Sequence, residues 1–199
     1  VATDDARIAK VVRAAGFSAL MTSPEALTGT DRLAEAAAMI DYDIYVNVQG
    51  DEPLVDPADI RRCIALKAEN PEMIVNGFCW IGPDEDPASV NIPKVIATEA
   101  GVMVYMSRAP LPGFKEAKNA PARYMKQVCI YGFTRDELAS YAAFGRKSAL
   151  ERSEDIEILR FLELDRRILM YECRPGSLAV DVPEDVAKVE AALRARGAP

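Results

Sequence analysis

Short apolar runs alternate with segments of helical period along the first two-thirds of the chain. The spacing predicts helix, strand, helix, strand, the pattern of a largely parallel sheet with crossover helices. A helix capped by Asp4 or Asp5 runs through Ala15, and Gly16 ends it. Residues 17–22 read as a short strand. Thr30 or Asp31 caps a second helix that puts Leu33, Ala37 and Ile40 on one face. Residues 44–48 form a buried strand that runs into Gln49-Gly50-Asp51-Glu52-Pro53. Asp56 and Pro57 open a helix that stops near Asn70-Pro71, with Pro57 in the favoured first-turn position. Strands are predicted over 73–80, 94–98 and 102–107. A Pro-rich loop over 109–121 then breaks the rhythm. Beyond it lie a strand over 124–133, helices over 136–144 and 148–164, a strand over 168–173, and a last helix reaching Arg196. The 148–164 helix carries Glu151, Glu154 and Glu157 at three-residue spacing. No repeat or linker divides the chain, so 1–199 reads as one domain. The opening Val1-Ala2-Thr3-Asp4-Asp5 looks like the end of a buried strand entering a helix cap. We therefore expect a preceding βα unit of roughly 30 residues to be missing.

Composition narrows the function. Half of the 199 residues are apolar, enough for a well-cored α/β domain, and the net charge is −7. An acidic chain without clustered Lys and Arg argues against nucleic acid as a partner. No apolar run approaches the roughly 18–20 residues that span a bilayer, and no signal-peptide pattern is visible, which makes a soluble intracellular protein the default. The four cysteines show no C-x-x-C spacing and read as buried thiols. The sequence contains no histidine, which removes Ser-His-Asp catalysis and histidine-ligated zinc. Acid–base and metal chemistry falls to carboxylates, Lys or Tyr.

Two acidic turns follow short apolar strands, Gln49-Gly50-Asp51-Glu52-Pro53 and Val180-Asp181-Val182-Pro183. Ligands of open α/β sheets collect at carboxyl strand ends, and Mg²⁺ takes one or two carboxylates from protein. Asp51 and Asp181 suit such a site, although Asp at these positions also serves as an ordinary turn or capping residue. Thr22-Ser23 and Thr28-Gly29-Thr30-Asp31-Arg32 form a second cluster whose backbone N–H groups could meet a phosphate or polar ring. Taken alone, that string is better read as an ordinary capped loop.

Read jointly, Thr22-Ser23, Gly29 to Glu35 and Val46 to Pro53 resemble the 3-deoxy-manno-octulosonate (KDO) cytidylyltransferases, the CMP-KDO synthetases. The resemblance continues through Pro93-Lys94-Val95, Ser107-Arg108-Ala109-Pro110, Ile130-Tyr131 and Val180 to Asp185, collinear over essentially the whole chain. It implies a three-layer, Rossmann-like nucleotidyltransferase fold with a mixed, mostly parallel sheet and a dimerisation extension. It also implies Mg²⁺-dependent transfer of CMP from CTP to a ulosonic acid, with pyrophosphate released, in a bacterial cytoplasm for lipopolysaccharide assembly. By the same resemblance, Asp51 and Asp181 hold the metal. Thr22, Ser23, Gly29, Thr30, Arg32, Gln49 and Gly50 meet the nucleotide, and Arg108, Gln127, Tyr131 and Glu157 meet the sugar. The residues themselves leave Tyr131 open as core and Glu157 as a solvated helix face. A homodimer is expected, through the segment after Ser107 and the 148–164 helix.

The chain departs from the family pattern in three places. Gln127 stands where the family usually has histidine, and Ile158 where it usually has glutamine. Both positions face the sugar by resemblance, which points to a KDO analogue altered at a distal substituent, such as 8-amino-KDO. The family's N-terminal triphosphate loop is the third departure. A sialic-type nonulosonic acid as substrate, or an inactive sugar-nucleotide-binding relative, are the rival readings. The GDEP turn argues against the first and retention of both aspartates against the second.

Overall fold

The computed structural model describes residues 1–83, 85–175, 180 and 182–195. The elements run β1 (Ala2–Thr3), α1 (Ala6–Ala14), β2 (Leu20–Met21), α2 (Gly29–Met39), β3 (Tyr45–Val48), α3 (Pro57–Glu69), β4 (Ile74–Trp80), β5 (Lys94–Ala97) and β6 (Met103–Ser107). They continue with β7 (Met125–Phe133), α4 (Arg135–Ala143), α5 (Ala149–Glu154), α6 (Arg160–Glu163), β8 (Ile168–Glu172) and α7 (Asp185–Ala195). β1 and β2 form a small parallel pair, and the other strands make a six-stranded sheet. The expected end of the last helix at Arg196 lies outside the described residues.

β7 organises the sheet. It pairs antiparallel with β4 along one edge, and with both β5 and β3 along the other. β3, β4, β5 and β8 therefore point the same way, with β7 inserted against them, so the strand directions are mostly parallel although most ladders are antiparallel. Period-two alternation on β7 separates two cores. Tyr131 and Phe133 face a cluster with Ala34, Leu138, Tyr141 and Phe161 from α2, α4 and α6, whereas Val128 and Ile130 face Cys63 of α3. Helices thus cover both faces, giving the three-layer α/β sandwich.

Three expectations change. The cap of α2 is Thr28, whose hydroxyl accepts from Asp31 N–H, and neither Thr30 nor Asp31 fills that role. The strand expected over 17–22 shrinks to Leu20–Met21, with Phe17 turned outward at 71% exposure. The helix expected over 148–164 is broken. Asp155 takes a left-handed conformation (φ 52°), Ile156 is extended, and a 3₁₀ turn at Glu157–Leu159 leads into α6. A continuous helix would set Glu151 and Arg160 on opposite faces. The break brings them together as a fully buried ion pair of 2.7 Å.

β7 is bulged opposite Asn76 and Gly77, with Cys129 and Ile130 as the extra residues, which leaves two β7 carbonyls without a ladder partner. The fully buried Asn76 amide supplies one N–H to Val128 O and one to Ile130 O, each at 3.0 Å. Asn76→Ala removes both donors from carbonyls that water does not reach. We expect a loss of about 2–4 kcal/mol of stability, read from the urea midpoint. A loss below about 0.5 kcal/mol would show that the bulge does not depend on this amide.

Candidate active site

The site lies where the sheet splits. β5 leaves β7 after Lys126, and β3 joins the same edge only from Ile130. Residues 127–129 are left to form the floor of a notch. At its margins Gln127 N–H donates to Pro93 O at 3.0 Å and Cys129 N–H to Glu52 Oε1 at 3.2 Å. A cavity of about 910 Å³ fills the notch, large enough for a nucleotide-sized ligand. Gln49, Asp51, Arg108, Gln127, Tyr131 and Glu157 all line it.

β3 delivers Gln49 and Asp51. Its carboxyl end opens into an exposed turn closed by Glu52 N–H donating to Gln49 O at 3.2 Å. Val180 N–H donates to Asp51 O at 2.8 Å, so the turn is joined to the chain entering α7, whose first residue, Asp185, also lines the cavity. Asp181 lies outside the described residues. Opposite, Arg108 reaches the cavity from the end of β6. Its guanidinium donates to Glu154 O (2.6 Å), Val90 O (2.8 Å) and Asp155 O (3.0 Å), clamping the break after α5 to the cavity wall.

Tyr131 is both core and cavity wall. The ring stacks on Phe133 at 6.0 Å and is 2% exposed, while its hydroxyl accepts from Gln127 Nε2 at 3.0 Å. Burial holds its phenol, and the neighbouring Cys129 thiol, well above their ordinary ranges, so both stay protonated at neutral pH. Glu157 is not a solvated helix face. Its carboxylate accepts from Thr30 N–H at 2.9 Å and from Gln49 Nε2 at 2.7 Å. Ile158, expected to face the sugar, instead packs in the core at 1% exposure. The tight 3₁₀ turn aims Glu157 at the cavity, which leaves Ile158 and Leu159 facing inward.

The remaining nucleotide candidates sit beside the cavity and do not line it. Arg32 donates to Thr22 Oγ1 at 2.7 Å and pairs with Asp4 at 3.2 Å, and Ser23 N–H donates to Glu35 at 2.9 Å. Gly50 faces open space. Gly29 matters by its size, since a Cβ there would lie 3.3 Å from Gln49 Nε2.

Local sequence reading missed the frame behind this wall. Arg160, wholly buried, forks onto Glu151 (2.7 and 2.8 Å) and onto Asp31 (2.8 and 3.1 Å), with its guanidinium 3.7 Å from the centre of the Tyr141 ring. Asp31 and Arg160 are 129 residues apart, and no local pattern signals such a pair.

Burial raises the Glu157 carboxyl above its ordinary range, against the lowering effect of its Thr30 bond. The folded state therefore binds this proton more tightly than the unfolded state. That contribution is complete below the ordinary Glu value, about 4.3, and is lost as pH rises through the raised folded value. Glu157→Gln has no such loss and keeps an acceptor for Thr30 N–H. Its thermal midpoint relative to the parent should rise between pH 4.5 and 7.5. A difference that stays flat with pH would contradict the assignment.

A family model described as Cytidylyltransferase matches residues 1–168. A Geotalea daltonii protein named 3-deoxy-manno-octulosonate cytidylyltransferase is 42% identical over 99% of this chain and 81% of its own length. The chain belongs to the 3-deoxy-manno-octulosonate cytidylyltransferase family. A Geobacter sulfurreducens member is 43% identical over 95% of this chain and 79% of its own. The structure of a CMP:2-keto-3-deoxy-manno-octonic acid synthetase complexed with CTP superposes with a TM-score of 0.90 at 34% identity, covering 98% of this chain and 80% of that one. A putative Bacillus anthracis glucose-1-phosphate thymidylyltransferase, at 12% identity and a TM-score of 0.61, shares the fold alone.

Proposed function

We propose that this protein transfers CMP from CTP to 3-deoxy-manno-octulosonate. A sugar hydroxyl attacks the α-phosphorus, and the bond to the departing pyrophosphate breaks. The observation that carries this reading is the convergence of Gln49, Asp51, Arg108, Gln127, Tyr131 and Glu157 on one cavity in a member of this family.

The chain's own residues bind and orient. Arg108 keeps part of its five-donor fork beyond the three carbonyls it holds, and a guanidinium suits the carboxylate of a sugar acid. Gln127 and Tyr131 offer hydrogen bonds to sugar hydroxyls. Thr22, Ser23, Gly29, Thr30, Arg32, Gln49 and Gly50 stand on the nucleotide side.

The donor chemistry fits Mg²⁺. Asp51 and Asp185 bring hard carboxylate oxygens to the cavity. A Mg²⁺ ion takes only one or two such groups from protein, the rest coming from phosphate and water. Asp51, with Asp181, would hold it. The ion would neutralise charge on the triphosphate.

Family membership favours this reading over the nonulosonic alternative. The 8-amino analogue keeps one support. Ile158 is core, whereas Gln127 does replace an imidazole in the cavity, and its Oε1 could accept from an ammonium. Pyrophosphate release with CTP and each sugar decides between them. We expect KDO to be turned over at least as well as 8-amino-KDO, and a clear preference for the amine would assign the protein to that substrate. No turnover with either would support the inactive reading.

Among the described residues no helix is long and apolar enough to cross a membrane. A homodimer, a cytoplasmic location and supply of lipopolysaccharide assembly accompany this function. Much of the 148–164 region is buried within the subunit. The exposed segment 109–123 with Phe114 (51% exposed), and β6 with Val104 (54%), are the better dimer contacts.

A further inference from the structure

Among the described residues three cations line the cavity, Arg108, Lys126 and Lys147, and the protein holds them unequally. Arg108 donates to three carbonyls, and Lys126 pairs with Glu85, whose other oxygen accepts from Gly82 N–H. Lys147 stands just before the Ser148 cap of α5. Its Nζ bonds only to Asp155 Oδ1 among the described residues, at 2.9 Å. That pair is open to water, with side-chain exposures of 35% and 73%. An exposed pair gains little over its hydrated parts, so an anion entering the cavity can draw the ammonium off Asp155 at small cost. The ammonium rides on a flexible four-carbon stem and spends one of its three donors here. Asp155 is also where Arg108 ends, since Nη2 donates to its carbonyl oxygen at 3.0 Å. The guanidinium suited to the sugar carboxylate and the loosely held ammonium thus meet at one residue.

We infer that Lys147 is a second carboxylate-binding residue for the sugar acid, and that Asp155 competes with the substrate for it. Before the sugar binds, the ammonium rests on the Asp155 side chain. The carboxylate held by Arg108 then takes the ammonium over and leaves the aspartate to water. This rests on the sugar-acid reading above and adds a residue to it. The sugar carboxylate is the anion, and the triphosphate of CTP is not, because Lys147 shares its partner with Arg108, opposite the turn that carries Asp51. Competition has a signature that a structural ion pair lacks. Removing the lysine weakens the ligand, whereas removing the aspartate strengthens it.

Calorimetric titration of KDO and of CTP into the parent, Lys147→Gln, Asp155→Asn and the double variant tests the inference. Lys147→Gln should weaken KDO about fivefold and leave CTP unchanged. Asp155→Asn should tighten KDO about twofold, and little of that gain should remain in the Lys147→Gln background. Asparagine tolerates the left-handed backbone at this position (φ 52°), and the carbonyl that Arg108 uses is kept. Should Asp155→Asn lower the thermal midpoint, Asp155→Gly suits the same backbone and should give the same gain. The carboxamide of KDO offers no charge, so it should bind the parent and Lys147→Gln alike. Weaker KDO in both single variants would mark a structural pair and overturn the inference. So would a loss confined to CTP, a gain of full size in the double variant, or an equal loss for acid and carboxamide. Binding is read without turnover, so a parent that binds KDO but forms no product would refute the proposed function and leave the inference standing. A parent that binds no KDO would overturn the inference.

Discussion

Arg160→Met should destabilise the protein by about 3–5 kcal/mol, the largest stability effect expected of a single substitution here. The guanidinium is wholly buried and bonded to two carboxylates, Glu151 at 1% and Asp31 at 16% side-chain exposure. Met fills most of the volume but leaves both acids without their cation in a medium that solvates charge poorly. The pair also fastens α2 to the broken segment after α5, because Glu157 reaches Thr30 three residues before Arg160 reaches Asp31. Lys should not rescue, since one ammonium cannot present two forks at once. Urea unfolding gives the measurement, with Arg152→Met on the exposed side of α5 as the control, expected within about 0.5 kcal/mol of the parent. A loss under about 1 kcal/mol for Arg160→Met would show that the network is not what holds the wall.

Asp51→Asn has the largest expected effect on chemistry. The side chain stands on an exposed turn at the carboxyl end of β3, and the backbone link to Val180 uses its carbonyl oxygen, which the substitution leaves in place. The substitution therefore leaves that backbone link intact. An amide keeps the shape but loses the charge that a hard cation requires, so kcat should fall by about 10²–10³-fold or more. The thermal midpoint without ligand should stay at the parent value. Unchanged turnover would remove Asp51 from the metal assignment. A collapse of the midpoint would reassign it to the turn.

The fold and the site were legible to different degrees. β3 and its turn could be read because a short apolar run stops at Gln49-Gly50-Asp51, and the turn does sit at the carboxyl end of that strand. The two cores of β7 follow from plain alternation. The helix over 148–164 was misread because Glu151, Glu154 and Glu157 have good helical spacing and nothing local marks Asp155 as a stop. The stop is a tertiary demand, since Arg160 can meet Glu151 only across a break. The sheet's split is equally invisible locally, because it depends on where β5 and β3 end along one edge of β7. Motif matching picked out Gln49, Asp51, Arg108, Gln127, Tyr131 and Glu157, which all line one cavity. It misplaced Ile158, because adjacent residues on a 3₁₀ turn point in different directions and only one of them can face the ligand.

Cytidylyl transfer is tested most directly by incubating the protein with CTP, KDO and Mg²⁺ and following pyrophosphate release together with the mass of the sugar product. The account predicts one pyrophosphate per CMP-KDO formed, no product when Mg²⁺ is chelated, and loss of product in Asp51→Asn. Pyrophosphate release that does not depend on the sugar, or no release from folded protein, would contradict it.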